Sequence, residues 1–469
     1  MAAVCRFVFL ALLWQLFQGT KESKLTYFGT KTPYNYQHSN SSLKYPDACT
    51  PIHIEYVSRH GSRYPSKSDR KNADNLLKKL DVFYSSSSPF HFKNLTLPWK
   101  KWNDWKDADS KELSARGMRE QYEIAKRLRS NFPQVFEKEY WNKYYKFIAR
   151  DKRRTSQSAM AFALGLFENF TGSLETLKFQ PVAIKSAGPE EHDKLLSSYD
   201  ACPRYAIDVD ENGLDEYKKF TKGPEIKDVV QNIKKRLRIN GSLSLTFEDA
   251  EIITKLCAFG IMNHEDDSWC ALLNEEDLKA VNYALDMENF YQHSLGNELS
   301  YKIICFLLGD ITKNLEDFSK GTNDVRGEFR FASSGTLFSL FTILEVIHNG
   351  TILRANNFKQ NRNQKFANVV PMSANVAFVL YKCNSTGQSG KNSVYKVQIL
   401  VNEKPVGLPC CHGRITCSLD EFLTYFKETV DSCQFDEMCA LPKVTSTTPK
   451  SGTFKVNSNI LLIMMISFI

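Results

Sequence analysis

The sequence predicts an α/β sheet domain interrupted by a mostly helical insertion. Three observations predict it. Strand-like and helix-like runs alternate near both ends of the chain. Charged helical patterns dominate from about residue 175 to 320. Strand-like runs at 52–57 and 144–149 each end in a basic turn, and the second turn opens a helix, as an anion site at a helix N-terminus requires.

The elements follow in order. Residues 20–45 are polar and aromatic and read as an extended leader. The apolar run 52–57 is a strand that delivers Ser58-Arg59-His60-Gly61-Ser62-Arg63-Tyr64-Pro65. Residues 69–80 are helical, with Leu76, Leu77 and Leu80 spaced for one face, and Ser85 to Ser88 form a loop. Ser110-Lys111-Glu112-Leu113-Ser114-Ala115-Arg116-Gly117 leads into a helix to about Arg129, stopped by Ser130-Asn131-Phe132-Pro133. A second strand, 144–149, runs into Arg150-Asp151-Lys152-Arg153-Arg154 and a helix over 155–167. Helices are expected at 226–238, 247–259 and 274–291. Strands at 327–332, 374–381 and 395–401 and a helix at 336–347 complete the pattern. The expected division is a core of 45–170 and 325–440 around an insertion of 171–324.

At 469 residues the chain holds one large elaborated domain or two domains. Its 42% hydrophobic and 24% charged content is that of a globular protein. A net charge of +8, spread over the chain, suits anionic ligands. No zinc finger, RNA-binding signature or basic tail occurs, so nucleic acid is not an expected partner. Residues 1–19 read as a secretory signal, with Arg6 ahead of an apolar stretch over 7–16. Six glycosylation sequons accompany it, at Asn40, Asn94, Asn169, Asn240, Asn349 and Asn384. Of twelve cysteines, eleven remain once Cys5 leaves with the signal, so disulfides are expected and at least one thiol is free or pairs between chains. Cys257 to Cys270 would close a short loop, and no spacing forms a paired C-x-x-C zinc site. Residues 445–459 are polar and 460–469 apolar, too short a run to span a bilayer, which takes about 20 residues. With a small-residue site at Ser451-Gly452-Thr453, this reads as a glycolipid-anchor signal, the alternative being a plain apolar tail on a secreted protein.

The first basic turn carries the chemistry. A histidine that attacks phosphorus must meet an atom surrounded by negative oxygens. Planar guanidinium donors matched to those oxygens draw the charge away. Gly61 permits close backbone approach and Pro65 fixes the exit.

At these residues the chain resembles the histidine acid phosphatases, and within them the multiple inositol polyphosphate phosphatases. Arg59-His60-Gly61-Ser62-Arg63-Tyr64-Pro65 matches the family signature at every defined position. Leu113-Ser114-Ala115-Arg116-Gly117 is similar to the family's Leu-Thr-x-x-Gly segment, and Arg154-Thr155-Ser156-Gln157-Ser158-Ala159 to its second basic turn. Cys257-Ala258-Phe259, Trp269-Cys270 and the run from Asn375 to Cys383 resemble further landmarks, so the likeness covers about residues 45–440. It implies a phosphoglycerate-mutase-like three-layer sheet domain with a helical cap. It also implies His60 as the nucleophile that becomes a phosphohistidine, Arg59, Arg63 and Arg154 as the phosphate clamp, and no metal or other cofactor.

The family's second motif, His-Ala-Glu in this branch, is matched by Phe331-Ala332-Ser333-Ser334-Gly335-Thr336. The flanks agree, but Ser333 stands in the second histidine's place and Gly335 in the glutamate's. The first would hydrogen-bond the phosphate and the second would protonate the leaving alkoxide. A substitute acid could come from Glu328, Glu191-His192-Asp193 or His264-Glu265-Asp266-Asp267, each of which reads as remote or solvated. Two functions are therefore expected: a phosphatase weak on inositol phosphates, or a degenerate relative that holds phosphorylated ligands without turnover. A mutase is a weaker third reading, since it too needs the missing acid.

Overall fold

Period-two burial builds the sheet. In β1 (Cys49–Arg59), Ile54 and Tyr56 face one hydrophobic cluster and Val57 faces another. In β5 (Asn375–Cys383), Val376, Phe378 and Leu380 face one side and Ala377, Val379 and Tyr381 the other. Both faces are covered, giving three layers. The computed structural model describes residues 26–34, 43, 45–86, 108–168, 180–239, 243–348, 352–360, 366–384 and 394–441. The expected signal segment, the apolar tail and the sequons at Asn40, Asn94, Asn169, Asn240 and Asn349 lie outside those residues, while Asn384 is exposed.

Among the described residues the sheet has eight strands. The remaining strands are β2 (Tyr145–Ala149), β3 (Ile184–Ser186), β4 (Gly327–Ala332), β6 (Val394–Val401), β7 (Lys404–Pro405) and β8 (Thr416–Ser418). Their order is β3-β2-β4-β1-β5-β6-β7, with β8 on β6. β3, β2, β4 and β1 run parallel, and β5 turns the sheet antiparallel. The carboxyl ends of β1, β2 and β4 therefore open at one edge, where ligands of α/β sheets bind.

On one face lie α2 (Ala115–Asn131) and α3 (Arg153–Phe167). On the other lie helices from the middle and end of the chain. These are α5 (Phe247–His264), α6 (Glu275–His293), α7 (Cys305–Ser319), α8 (Ser334–Ile343) and α9 (Leu419–Asp431), with α1 (Lys67–Ser86) and α4 (Pro224–Arg236) packed beside them. The helical segment joins the same hydrophobic cluster as the sheet face. Two elements inside the expected 171–324 insertion belong with the sheet. β3 is an edge strand on β2, and α7 buries Leu307, Leu308, Ile311 and Leu315 while Phe318 stacks on His53 of β1 at 4.7 Å.

The leader expected over 20–45 is not extended where it is described. Tyr27 and Phe28 are buried, and a single turn at Gly29–Lys31 is held by the Asn282 side chain, which accepts from Gly29 N at 3.0 Å. Among the described residues five disulfides occur: Cys49–Cys383, Cys202–Cys439, Cys257–Cys270, Cys305–Cys433 and Cys411–Cys417. Cys410 is free and buried.

One charged cluster lies inside the sheet. Arg330 of β4, fully buried, pairs with Glu55 at 2.5 Å, Asp310 at 2.5 Å and Glu328 at 2.9 Å. His53 meets Glu55 at 2.8 Å. Burial alone would raise the Glu55 carboxyl, but Arg330 and His53 hold it below the usual carboxylate value. Removing one member of a buried ion cluster leaves its partners uncompensated. Arg330→Met should therefore cost about 3–5 kcal/mol in urea denaturation, and adding Glu55→Gln should recover part of that loss.

Candidate functional site

The loop after β1 is fixed by its backbone. Arg59 N donates to Ala374 O at 2.8 Å, and His60 N to Ala332 O at 3.0 Å, so strand pairing continues onto the histidine itself. Gly61 N donates to Ser158 Oγ of α3 at 3.1 Å. Ser62 N and Oγ donate to Glu120 of α2 at 2.9 and 2.7 Å. Ser114 caps α2 and donates its hydroxyl to Ser62 O at 3.0 Å. The loop and α2 touch glycine to glycine: a Cβ on Gly61 would lie 2.3 Å from Gly117 O, and one on Gly117 would lie 2.1 Å from Ser62 O. The 113–117 segment braces the histidine loop, and both glycines are needed for that approach.

His60 is almost fully buried. Its Nδ1 lies 2.9 Å from Gly61 O. A carbonyl only accepts, so Nδ1 carries the proton and the lone pair sits on Nε2. Burial, then the charges of Arg154, Arg59 and Arg63, hold the imidazole pKa well below its ordinary 6.5. All three guanidinium groups thus act on one neutral ring. Arg59 donates to Val370 O at 3.0 Å and Arg63 to Tyr64 O at 2.7 Å, with Arg63 also lying 5.9 Å from the centre of the Phe259 ring. Burial and the neighbouring arginines lower Arg59 to about 9 and Arg154 to about 10. The Nε atoms of Arg59, Arg150 and Arg154 are buried without a protein partner. Such orphaned cationic donors suit an anion with several oxygens.

Ser333 follows the carboxyl end of β4 and is the N-cap residue of α8. Its Oγ accepts from Arg150 Nη1 at 2.8 Å and from Arg154 Nη2 at 3.3 Å. Arg150 also donates to the Tyr199 hydroxyl at 2.6 Å and pairs with Glu190 and Asp200. Ser334 opens α8 beside the cradle. Gly335 follows on α8, and its open side is filled: a Cβ there would lie 2.8 Å from Tyr199 Cε1 and 3.0 Å from His293 Cε1. His293 is buried and its imidazole is pushed down to about 4.

The structure thus brings together His60, Arg59, Arg63, Arg154, Ser333, Ser334 and Gly335. It also adds residues the sequence reading left aside. Arg150 was visible only as one of five residues in a basic turn. Within that turn Lys152 pairs with Glu190 and Arg153 with Asp109, outside the cradle. Tyr199 had no local signal. Lys31 comes from the supposed leader and lies among Arg63, Lys255, Asp69 and Arg59; burial and those cations lower it to about 7. The segment 191–193 is only partly solvated. Glu191 and His192 are exposed, but Asp193 is buried, accepting from Leu195 N at 3.1 Å and Leu196 N at 2.7 Å, and burial raises it to about 6. The reason is local: its carboxylate closes the turn that seats Leu196 in the core. Glu328 is committed to Arg330. Among the described residues no group of histidine, cysteine and carboxylate side chains could hold a metal.

A model of the histidine phosphatase superfamily, branch 2, matches residues 52–402. The chain belongs to that family. Multiple inositol polyphosphate phosphatase 1 of Gallus gallus is 26% identical over 443 residues, spanning 90% of this chain and 94% of the relative. This places the chain in the multiple inositol polyphosphate phosphatase branch of the histidine acid phosphatases. The fold matches a phytase from D. castellii with a TM-score of 0.70 at 18% identity, covering 89% of this chain and 87% of that one. It matches a Bifidobacterium longum multiple inositol polyphosphate phosphatase, solved with inositol hexasulfate, with a TM-score of 0.66 at 17% identity, covering 86% and 97%.

Two measurements follow. Gly335→Ala should cost about 1–3 kcal/mol in urea denaturation, because the Tyr199 ring cannot yield cheaply. The second concerns pH. His60 and His293 stay neutral when folded but bind protons near pH 6.5 when unfolded, so the unfolded state gains protons first and the folded state loses stability as pH falls below about 6.5. The urea midpoint should drop between pH 7 and 5, and His293→Gln should flatten part of that slope.

Proposed function

We propose that this chain is a phosphomonoesterase that transfers a phosphoryl group to His60 Nε2. The observation that carries the proposal is the state of His60: an unprotonated Nε2 in a buried cradle of guanidinium groups. Arg59, Arg63 and Arg154 hold the phosphoryl oxygens and stabilise the charge that shifts during transfer. Water then hydrolyses the phosphohistidine. The catalytic effect comes from positioning and charge, and no metal is called for.

Ser333 and Gly335 stand where the resemblance places a histidine and a glutamate. A positioned general acid contributes roughly 10²–10⁴-fold, about 3–5 kcal/mol of barrier. Alkyl phosphates such as inositol phosphates need that acid most, so turnover of them should be slow. The substrate class we propose is inositol polyphosphate, on the strength of the relatives and of further basic groups near the cradle: Lys31 and Lys111 lie within the field of Arg63. Five disulfides support an oxidising compartment, so we place the protein in the secretory pathway, extracellular or lipid-anchored at the cell surface.

A second reading has its own observation. The filled space beside Gly335 leaves no room for a carboxylate of the family kind. A descendant that binds inositol phosphates without turnover would tolerate that change.

The test is hydrolysis of p-nitrophenyl phosphate and of inositol hexakisphosphate, with His60→Ala as control. We expect the aryl ester to turn over, His60→Ala to abolish that, and the inositol ester to be slower by on the order of 10²-fold or more. Rapid, His60-dependent turnover of the inositol ester would refute the slow reading. Binding of inositol hexakisphosphate with no hydrolysis of either ester selects the second reading. An absence of both binding and hydrolysis removes the two together.

A further inference from the structure

We infer that Tyr199 is the proton donor to the leaving alcohol, replacing a carboxylic acid at position 335; the inference rests on the phosphohistidine reading. Its ring occupies the space that a side chain on Gly335 would need. Its hydroxyl oxygen accepts from Arg150 Nη1 at 2.6 Å, and the same nitrogen lies 2.8 Å from Ser333 Oγ. The Ser333 hydroxyl is also within hydrogen-bonding reach of the phenol. Arg154 Nη2 reaches the same Ser333 Oγ at 3.3 Å, which places the phenol beside the arginine cradle. With its oxygen occupied as an acceptor, its own O–H is left to donate. Within its reach is the Ser333 hydroxyl, whose oxygen already accepts from Arg150 and Arg154.

Other donors are spent or unsuited. Glu120 accepts from Ser62 and Ser373, and Glu190 and Asp200 pair with Arg150. Asp193 closes its own turn through Oδ1, and its Oδ2 is buried without a partner, so no hydrogen bond joins it to Ser333, Arg150 or Arg154. His293 is neutral and lies 2.9 Å from the Tyr205 hydroxyl through Nδ1. Tyr205 donates its hydroxyl proton to Gln292 O.

The step balances. The His60 Nε2 lone pair forms the N–P bond as the ester O–P bond breaks. The departing oxygen keeps the electron pair and takes the Tyr199 proton, leaving a free alcohol and a tyrosinate. Arg150 and the Ser333 hydroxyl stabilise that tyrosinate. Water then attacks the phosphohistidine and gives its proton to Tyr199. Inorganic phosphate leaves, and neutral His60 and the phenol are restored.

The groups facing the phenol set its pH behaviour. Arg150 and Arg154 favour the tyrosinate, and Asp200 opposes it; Arg59, Tyr205 and His293 complete the surround. Burial outweighs the arginines and raises the phenol above its ordinary value of 10. The donor therefore stays protonated to high pH and is a weaker acid than a carboxyl, in keeping with slow turnover.

The experiment compares Tyr199→Phe with the parent on glycerol 2-phosphate and on p-nitrophenyl phosphate, whose phenolate leaves without help. We expect kcat/KM for the alkyl ester to fall by about 100-fold or more, and that for the aryl ester to fall at least tenfold less. Equal losses on the two esters, or no loss on the alkyl ester, overturn the inference. Should the variant fold poorly, the parent's pH profile on the alkyl ester decides: activity held to about pH 9 supports a phenol donor, and a fall near pH 6 overturns it. A parent that hydrolyses the aryl ester alone overturns the inference and leaves the phosphohistidine reading in place. A parent that hydrolyses neither removes both.

Discussion

Unbalanced positive charge around one neutral imidazole is the constraint on which this molecule's site depends. The adjacent strands β1 and β4 show how deliberate the imbalance is. Arg330 of β4 meets Glu55, Asp310 and Glu328, which hold its charge firmly in place. Arg59, at the end of β1, meets Arg63 and Arg154 instead and has its pKa pushed down to about 9. Both arginines are buried. One has carboxylate partners; the other donates to a backbone carbonyl. A cation buried without a counter-charge is costly, and a multiply charged anion relieves the cost at several residues at once.

Holding that arrangement requires a rigid frame, because the guanidinium groups repel. The frame is the parallel triplet β2-β4-β1, whose carboxyl ends present Arg150, Ser333 and His60 side by side. Pairing runs on to His60 N, and Gln121 fixes the Arg59 carbonyl at 2.9 Å. The contact of Gly61 with Gly117 then lets α2 press directly on the loop. Strand pairing, helix approach and side-chain carbonyl anchors are thus one device. Any loosening would weaken both the burial and the nearby charges that hold the His60 imidazole pKa down.

Much of this was legible locally. The strand at 327–332 and the two basic turns were plain in apolar runs and charge. Seven of the nine named helices were placed, most of them within a few residues of their observed ends, since period and stop signals are local; α7 and α9 were not. What escaped was whatever depends on distant partners. α7 lies within the stretch of charged helical pattern and was not picked out there, yet its apolar face seats on β1. The segment at Gly29–Lys31 is ordered by Asn282, some 250 positions away. Tyr199 is a lone aromatic in a loop, and nothing near it in sequence says that it fills the gap beside Gly335. Asp193 read as solvated because charged residues surround it, but its oxygen closes a turn.

The altered second motif therefore cannot be judged by what it lacks. A glycine where an acid is expected would leave a hole if nothing else had changed. Here that space is closed by Tyr199 and His293, and Ser333 accepts from two arginines. Arg150 ties these changes together by reaching Ser333, Tyr199, Glu190 and Asp200 at once. A decayed site would lose such coordination first, because nothing would hold a guanidinium, a phenol and a hydroxyl in one hydrogen-bonded group. Their joint order argues that this edge of the sheet is still organised around a phosphorylated ligand.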